Sequence, residues 1–393
     1  MEITLPPLHK CQRQVALDPA RFRVLSAGRR FGKSRLGVTL CVAAALQRKR
    51  AWWVGPDYPT TQIGWRLLTW LAQQIPGTAQ RSSDRRIEMP GGGWVQVRSA
   101  NAPASLRGEG LDLLVIDEAA HIPKFAEVWE QALRPALSDR QGGALFISTP
   151  KGHNAFYELF RQAEASEDWA AYQFPTSANP HIAATEIEAA RANLPALVFR
   201  QEYEAEFVQL AGALFRREYF HFVEAAPTCR LWVRYWDLAA STKTSADYTA
   251  GGKIGITEDG TIVIAHVVRG RWEWPDALRI IIQTAQADGA RVAQGVEDVG
   301  VQKGMYQFIM REPLAVGLTL RPIPVRKDKI ERVNPWLARA EQGKVVLVRG
   351  EWNAAFLDEV MAFPEGQHDD QVDAVSGAVQ MLSGGGWVRG MVQ

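Results

Sequence analysis

The sequence predicts an α/β protein of two domains, and three observations predict it. At 393 residues the chain exceeds what one hydrophobic core usually fills. Short apolar runs of strand length alternate with helical patterns in both halves, the signature of a mainly parallel sheet with helices on its faces. Several of those runs end in polar groups suited to phosphate or metal, where ligands of such sheets sit. Hydrophobic content of 47% and charged content of 22% are those of an ordinary globular protein and argue against disorder. Cys11, Cys41 and Cys229 have neither disulfide nor zinc spacing, so a reducing setting, the cytoplasm, is expected. No run approaches the length of a membrane span and the N-terminus lacks a secretory pattern, so a soluble chain with no membrane role is expected.

Taken in order, Phe22–Ser26 reads as a strand, followed by a Gly-containing loop and a helix from Ser34 to Leu46. Ala51–Val54 is the next strand and Gly64–Gln74 the next helix; Leu111–Ile116 and Gly143–Ser148 are further buried strands. The pattern weakens over residues 176–230, where a polar helix is expected near Pro195–Phe207. The domains are therefore expected at 1–210, with a linker from about 176, and at 211–393. Beyond it, Leu231–Trp236, Tyr248–Ile256 and Thr261–Val268 read as consecutive strands, the last two joined by a turn at Glu258-Asp259-Gly260. Helix Pro275–Ala287, strand Arg291–Val296, helix Lys303–Met310 and helix Gln371–Leu382 complete the reading. Trp52, Trp53, Trp65 and Trp70 lie in apolar patterns and are assigned to the core rather than to base stacking.

The net charge of +2 is unevenly spread: residues 1–50 carry eleven Lys/Arg against two Asp/Glu, residues 301–350 ten against four, and residues 351–393 one against seven. Basic segments suit phosphates and acidic ones suit metal ions, although a solvated mixed surface gives the same counts.

Residues 26–34, Ser-Ala-Gly-Arg-Arg-Phe-Gly-Lys-Ser, form a phosphate-binding loop candidate. Such a loop aims backbone N–H groups at phosphates from a helix N-terminus, with a Lys for charge and a hydroxyl for Mg²⁺. Gly32, Lys33 and Ser34 supply these, and Gly28, Arg29, Arg30 and Phe31 complete the loop. Ala27 stands where the usual pattern has its first glycine. The strand Leu113–Ile116 delivers Asp117 to a Mg²⁺ shell and Glu118 to an attacking water. Ser148 and Thr149 end the next strand, where they either sense a γ-phosphate or form a turn closed by Pro150. The cofactors implied are ATP and Mg²⁺.

In the second half Asp237 and Glu297 end strands, while Asp369, Asp370 and Asp373 open the last helix. Asp370 and Asp373, three apart, share one helical face. Two-metal hydrolysis of a phosphodiester needs carboxylates converging in this way, but a turn cap and helix-dipole partners would look the same.

These residues together resemble the large subunits of tailed-phage terminases, nearly end to end. That family has a variant phosphate loop in which the first glycine is often replaced and arginines precede Gly-Lys-Ser, as Arg29 and Arg30 do here. The resemblance implies a P-loop ATPase domain followed by an RNase H-like nuclease domain. It implies that Gln12, or failing that Gln14, contacts adenine, and that Arg107 in Ser105-Leu106-Arg107-Gly108 acts on a neighbouring subunit's ATP. Ser148-Thr149-Pro150-Lys151-Gly152 is similar to the family's coupling motif. Tyr-Trp-Asp-Leu-Ala at 235–239, Val-Glu-Asp-Val-Gly at 296–300 and His-Asp-Asp-Gln-Val-Asp-Ala at 368–374 resemble its three nuclease motifs. Asp237, Glu297 and Asp370 are thereby the expected catalytic acids, with Asp369 or Asp373 as alternative ligands and Asp247 assisting a second ion. Mg²⁺ or Mn²⁺ is the expected nuclease metal. Arg321, Arg326, Lys327, Lys329 and Arg332 are expected to hold DNA phosphates without regard to sequence.

The implied function is ATP-driven translocation of double-stranded DNA into a procapsid and cutting of the concatemer. The implied partners are DNA, a portal protein, a terminase small subunit and further copies of the chain in a ring, a pentamer. The implied location is the host cytoplasm and, transiently, the procapsid portal. Two rivals are a helicase-like ATPase whose second half only binds nucleic acid, and an inactive module that uses nucleotide as a switch.

Overall fold

The computed structural model describes residues 5–209, 214–239, 248–298, 320–325 and 328–383. Asp247, the expected helix Lys303–Met310, Val299, Gly300, Arg326 and Lys327 lie outside the described residues. Contacts divide the chain into two units, Met1–Arg191 with Ala196–Leu210, and Ala192–Pro195 with Ala211–Gln393.

The first unit carries eight strands: β1 (Phe22–Ala27), β2 (Arg50–Gly55), β3 (Ala79–Arg81), β4 (Arg86–Glu88), β5 (Trp94–Ser99), β6 (Leu113–Asp117), β7 (Gly143–Ser148) and β8 (Trp169–Phe174). Their order is β3-β4-β5-β2-β6-β7-β1-β8. From β5 to β8 every pairing is parallel, and only the short flank β3-β4 runs antiparallel to its neighbour. Near-continuous apolar runs suit the central strands because both faces are covered. Helices Lys33–Leu46 and Tyr58–Ala72 cover one face, while residues 119–137 and helix Ala155–Glu164 cover the other. Trp52 and Trp53, neighbours in β2, point to opposite faces and are both fully buried.

Two expectations are corrected here. Trp70 is 57% exposed and is not a core residue. Its helix turns Thr61, Gly64, Leu68 and Leu71 inward, and Trp70, about 100° from Leu71, faces out. That helix also starts at Tyr58 rather than Gly64, because the Asp57 carboxylate accepts the Thr60 N–H at 2.7 Å and Pro59 suits the first turn. Where a polar helix is expected near Pro195–Phe207, the helix Ala196–Glu202 stands, and a further helix, Ala184–Asn193, precedes it.

Among the described residues the second unit has seven strands: β9 (His221–Val223), β10 (Leu231–Asp237), β11 (Thr249–Ile256), β12 (Ile262–Gly270), β13 (Val292–Glu297), β14 (Leu320–Ile323) and β15 (Val345–Val348). They are ordered β14-β13-β10-β11-β12-β15-β9, and β11 alone runs against the rest. The helix Asp370–Ser383 is almost wholly buried across β10 and β11, closing over Val233, Tyr235 and Ile254 with Trp336 and Phe356 from the preceding helices. Gly377 lies so close to the Tyr235 ring that any Cβ there would stand 2.3 Å from it.

On the opposite face, Arg234 is buried and pairs with Asp288, Nε to Oδ2 at 2.5 Å and Nη2 to Oδ1 at 3.1 Å. Burial alone would raise the Asp288 carboxyl, but Arg234, then Lys253 and Gln294, hold it below the usual range. Its stabilisation is therefore full above the unfolded carboxylate pKa and is lost as pH falls through the lower folded value. Arg234→Ala leaves Asp288 buried without its main partner and is expected to cost about 3–5 kcal/mol, read as a lower midpoint in chemical denaturation. An unchanged midpoint would show that Lys253 and Gln294 suffice to satisfy Asp288.

Candidate active sites

The phosphate loop leaves β1 and enters its helix through two left-handed residues, Arg30 at φ 63° and Gly32 at φ 100°. The second demands glycine, since a side chain at Gly32 would be strained by the backbone and would meet the Gln12 amide at 2.5 Å. Lys33 is buried; its Nζ donates to the Ala27 and Gly28 carbonyls at 2.7 and 3.2 Å and to Thr149 Oγ1 at 2.9 Å. Burial pushes its ammonium below the ordinary lysine value, opposed by Glu118 and Asp117. Asp117 is also buried, and its Oδ1 has no hydrogen-bond partner. Burial, and then the charge of Glu118, raises the Asp117 carboxyl to about 7. Glu118 behaves oppositely. Against the effect of burial, His121, whose Nδ1 stands 3.6 Å from Glu118 Oε2, the charge of Lys33 and the Thr149 N–H hold it below the usual range. Ser148 Oγ lies 3.3 Å from Glu118 Oε2 and itself accepts the Ala120 N–H at 3.1 Å. Thus Ser148 touches the carboxylate and Thr149 the lysine.

A cleft of about 900 Å³ opens over this constellation, bordered by Arg29, Lys33, Ser34, Glu118, Thr149 and Glu202. Gln12 is buried beneath the loop rather than on the cleft wall; its Nε2 donates to the Gly32 carbonyl at 2.9 Å and its Oε1 accepts the His9 N–H at 3.0 Å. Phe31 is fully buried and stacks on Phe174 at 5.5 Å between ring centroids, so its side chain anchors the loop. Arg107 is exposed after the turn Pro103–Leu106 and borders a separate small cavity with Lys124 and Glu127.

The second unit assembles its acids on neighbouring elements. Parallel pairing sets Trp236 beside Val296, so the next residues, Asp237 and Glu297, leave the sheet side by side. Burial, and then a hydrogen bond to Glu297 and its charge, raise the Asp237 carboxyl well above the ordinary range. Asp373 is raised to about 6, by burial against the pull of Arg332. Arg332 Nη2 reaches Asp373 Oδ1 at 2.6 Å, and Lys329 Nζ reaches both oxygens of Asp369 at 2.8 and 2.6 Å. Asp370 is buried, with His368 Nδ1 at 3.9 Å from its Oδ2. Among the described residues no three His, Cys, Asp or Glu side chains are close enough, as they stand, to enclose an ion. The donor set nonetheless fits a hard divalent cation: carboxylate oxygens from separate elements, two of them a crowded like-charge pair that such an ion would relieve.

Two family models match the chain, "Terminase large subunit, T4likevirus-type, N-terminal" over residues 24–222 and "Terminase RNaseH-like domain" over 234–382. The large terminase subunit of Thermus virus P23-45 is 32% identical over 405 residues, covering 90% of this chain and 80% of that one. The chain belongs to the terminase large subunit family. The terminase large subunit of Escherichia phage T5 is also 32% identical, over 207 residues that cover 51% of this chain and 47% of the relative. The large terminase of a thermophilic bacteriophage, solved in complex with ADP, superposes with a TM-score of 0.69 over 96% of this chain and 100% of that one. At 12% identity that likeness shows the fold. The two α/β units are thus the terminase ATPase-type domain and the terminase RNase H-like domain.

One feature of this terminase fold has no motif in the sequence. The phosphate loop is strapped from outside by the supposed linker. Thr176 Oγ1 donates to the Arg29 carbonyl and Asn179 Nδ2 to the Arg30 carbonyl, each at 2.7 Å. The Arg29 N–H donates to the Glu202 carbonyl at 2.7 Å, while its guanidinium pairs with the Glu202 carboxylate. Gly28 explains itself here, because a Cβ would stand 2.5 Å from Thr176 Oγ1 and 2.6 Å from the Tyr203 carbonyl. That missing Cβ was the only local signal of the strap. Of the expected basic run, Lys329 and Arg332 pair with the acids, and Arg321 lies exposed on β14.

Proposed function

We propose that this chain hydrolyses ATP to move double-stranded DNA into a procapsid and cuts that DNA at a divalent-metal nuclease site. The observation that carries the reading is the junction of Lys33 with Thr149 and of Glu118 with Ser148 in one cleft, at the ends of three parallel strands. Lys33 supplies fixed positive charge to the phosphates, and Glu118, kept ionised, accepts a proton from or orients the attacking water. Arg29 and Arg30 border the cleft and add charge. Gln12 reaches adenine only if its amide leaves Gly32; otherwise it serves by holding the loop. Ser34 and the unpartnered Asp117 oxygen are the groups that would hold Mg²⁺, whose charge would offset that of the phosphate oxygens. Ser148, which meets Glu118, and Thr149, which meets Lys33 and through its N–H Glu118, would relay loss of the γ-phosphate.

In the second unit Asp237, Glu297 and Asp370 would hold the nuclease metal, Mg²⁺ or Mn²⁺, which would lower the pKa of its water and offset charge on the phosphodiester. Asp370, buried at the start of the helix, is the proposed ligand from that element; Asp373 and Asp369 accept from Arg332 and Lys329. Neutralising Lys329 and Arg332 also leaves both near the phosphates that a DNA strand would bring. A portal protein, a small subunit and a ring of copies are the proposed partners, in the host cytoplasm and at the procapsid portal.

One purified preparation should show both DNA-stimulated phosphate release from ATP and metal-dependent plasmid cutting; lack of either activity sinks that half of the reading. The ring carries its own test. Arg107→Ala and Lys33→Ala chains are each expected to be inactive alone, and mixing them should recover turnover by about tenfold, since Arg107 of one copy serves the intact loop of another. No recovery on mixing would show that Arg107 does not act on a neighbouring copy's loop.

A further inference from the structure

The helix Asp370–Ser383 brings the acids to the nuclease site, yet the groups that cap its first turn come from another helix. A helix N-terminus leaves backbone N–H groups without internal partners, and a buried terminus needs them satisfied. Glu359, on the helix Asn353–Ala362, is buried and does this with one carboxylate. Its Oε1 accepts the backbone N–H groups of Gln371 at 2.5 Å and Val372 at 3.3 Å. Its Oε2 accepts Gln371 Nε2 at 2.6 Å and Arg269 Nη1 at 3.0 Å. Gln371 Nε2 also reaches the Ala355 carbonyl at 3.1 Å, closing the link between the two helices. Arg269 in turn extends the tie to β12 and lies over the Tyr248 ring, which meets His368 edge-on at 5.0 Å.

We propose that Glu359 is a positioning residue of the nuclease site, setting the height and rotation of the helix turn that presents Asp370 and Asp373. The inference rests on the nuclease reading above. Glu359 contacts residues 371 and 372, which stand between those two acids, and it holds them through the backbone. A charged acceptor at a helix N-terminus makes stronger hydrogen bonds than a neutral one and opposes the helix dipole. The Arg269 pair neutralises Glu359, so its contribution is geometric and not added negative charge at the metal.

Glu359→Gln keeps the shape but turns an N–H₂ group toward donors that cannot accept it. In the full-length chain this variant is expected to weaken Mn²⁺ binding, measured by calorimetry, by about tenfold or more, the usual loss when groups that orient ligands are removed. Plasmid cutting should fall in parallel and be partly recovered by raising Mn²⁺. Hydrogen exchange should quicken in peptides covering residues 370–373, while ATP turnover by the first unit stays at the wild-type rate. Arg269→Ala, which leaves both backbone contacts in place, should lower Mn²⁺ affinity less than Glu359→Gln does. Wild-type Mn²⁺ affinity and cutting in a folded Glu359→Gln chain would overturn the proposal while leaving the nuclease reading intact. If the wild-type chain neither binds Mn²⁺ nor cuts, the nuclease reading fails and takes the proposal with it. Faster exchange would then mark Glu359 as a structural cap.

Discussion

Replacing Glu118 by Gln is expected to lower ATP turnover by about 10²–10⁴-fold, the range supplied by a positioned general base, while nucleotide affinity stays close to wild type. The argument is one of charge and place. Glu118 stands at the end of β6 in a left-handed backbone conformation, at φ 49°, that turns its side chain off the strand. There His121, Lys33 and the Thr149 N–H keep it ionised against burial. Gln fills the same volume and can still accept from Ser148, so the cleft should persist; what disappears is the basic oxygen. Single-turnover phosphate release and binding of a fluorescent ATP analogue separate the two effects. Turnover within a few-fold of wild type would remove Glu118 from the chemistry and leave Asp117, with its carboxyl raised to about 7, as the remaining candidate.

Asp237→Asn is expected to reduce metal-dependent plasmid cutting by about a thousandfold or more, since several kcal/mol of charge stabilisation depend on the ion's ligands. ATP turnover should be untouched. Stability should not fall and is expected to rise, because burial, and then the crowding of Glu297, raise the Asp237 carboxyl well above its ordinary range. An amide at that position donates to Glu297 without the conflict. Loss of cutting with a denaturation midpoint equal to or above wild type separates a ligand role from simple misfolding. A variant that cuts normally would show that the described carboxylates are not the ligands.

The parts of both sites that lie at strand ends were legible because they are local. An apolar strand, a Gly-Lys-Ser turn and a helix follow one another within Phe22–Leu46, and the backbone geometry of that turn depends on Gly32 itself. Asp117, Asp237 and Glu297 each follow an apolar strand, and parallel sheets bring such ends together. Short exposed strands such as Ala79–Arg81 and the four-residue β14 and β15 escaped, since too few residues repeat to show a period of two. Trp70 was misplaced because an apolar pattern states that a helix has a buried face, while packing decides where its edge falls.

By itself the sequence determined the class of the fold, and it offered the candidate phosphate loop with its carboxylate partner and the acids proposed for the second site. The tertiary structure decided how those residues are held. It turned residues 174–205 into an outer strap on the loop, gave Lys329 and Arg332 to Asp369 and Asp373, and placed Glu359 under the helix that presents Asp370. The physical reason is one of range. Backbone conformation and apolar periodicity are properties of neighbours in the chain, whereas a hydrogen bond from Thr176 to Arg29 exists only when strands far apart in sequence have paired.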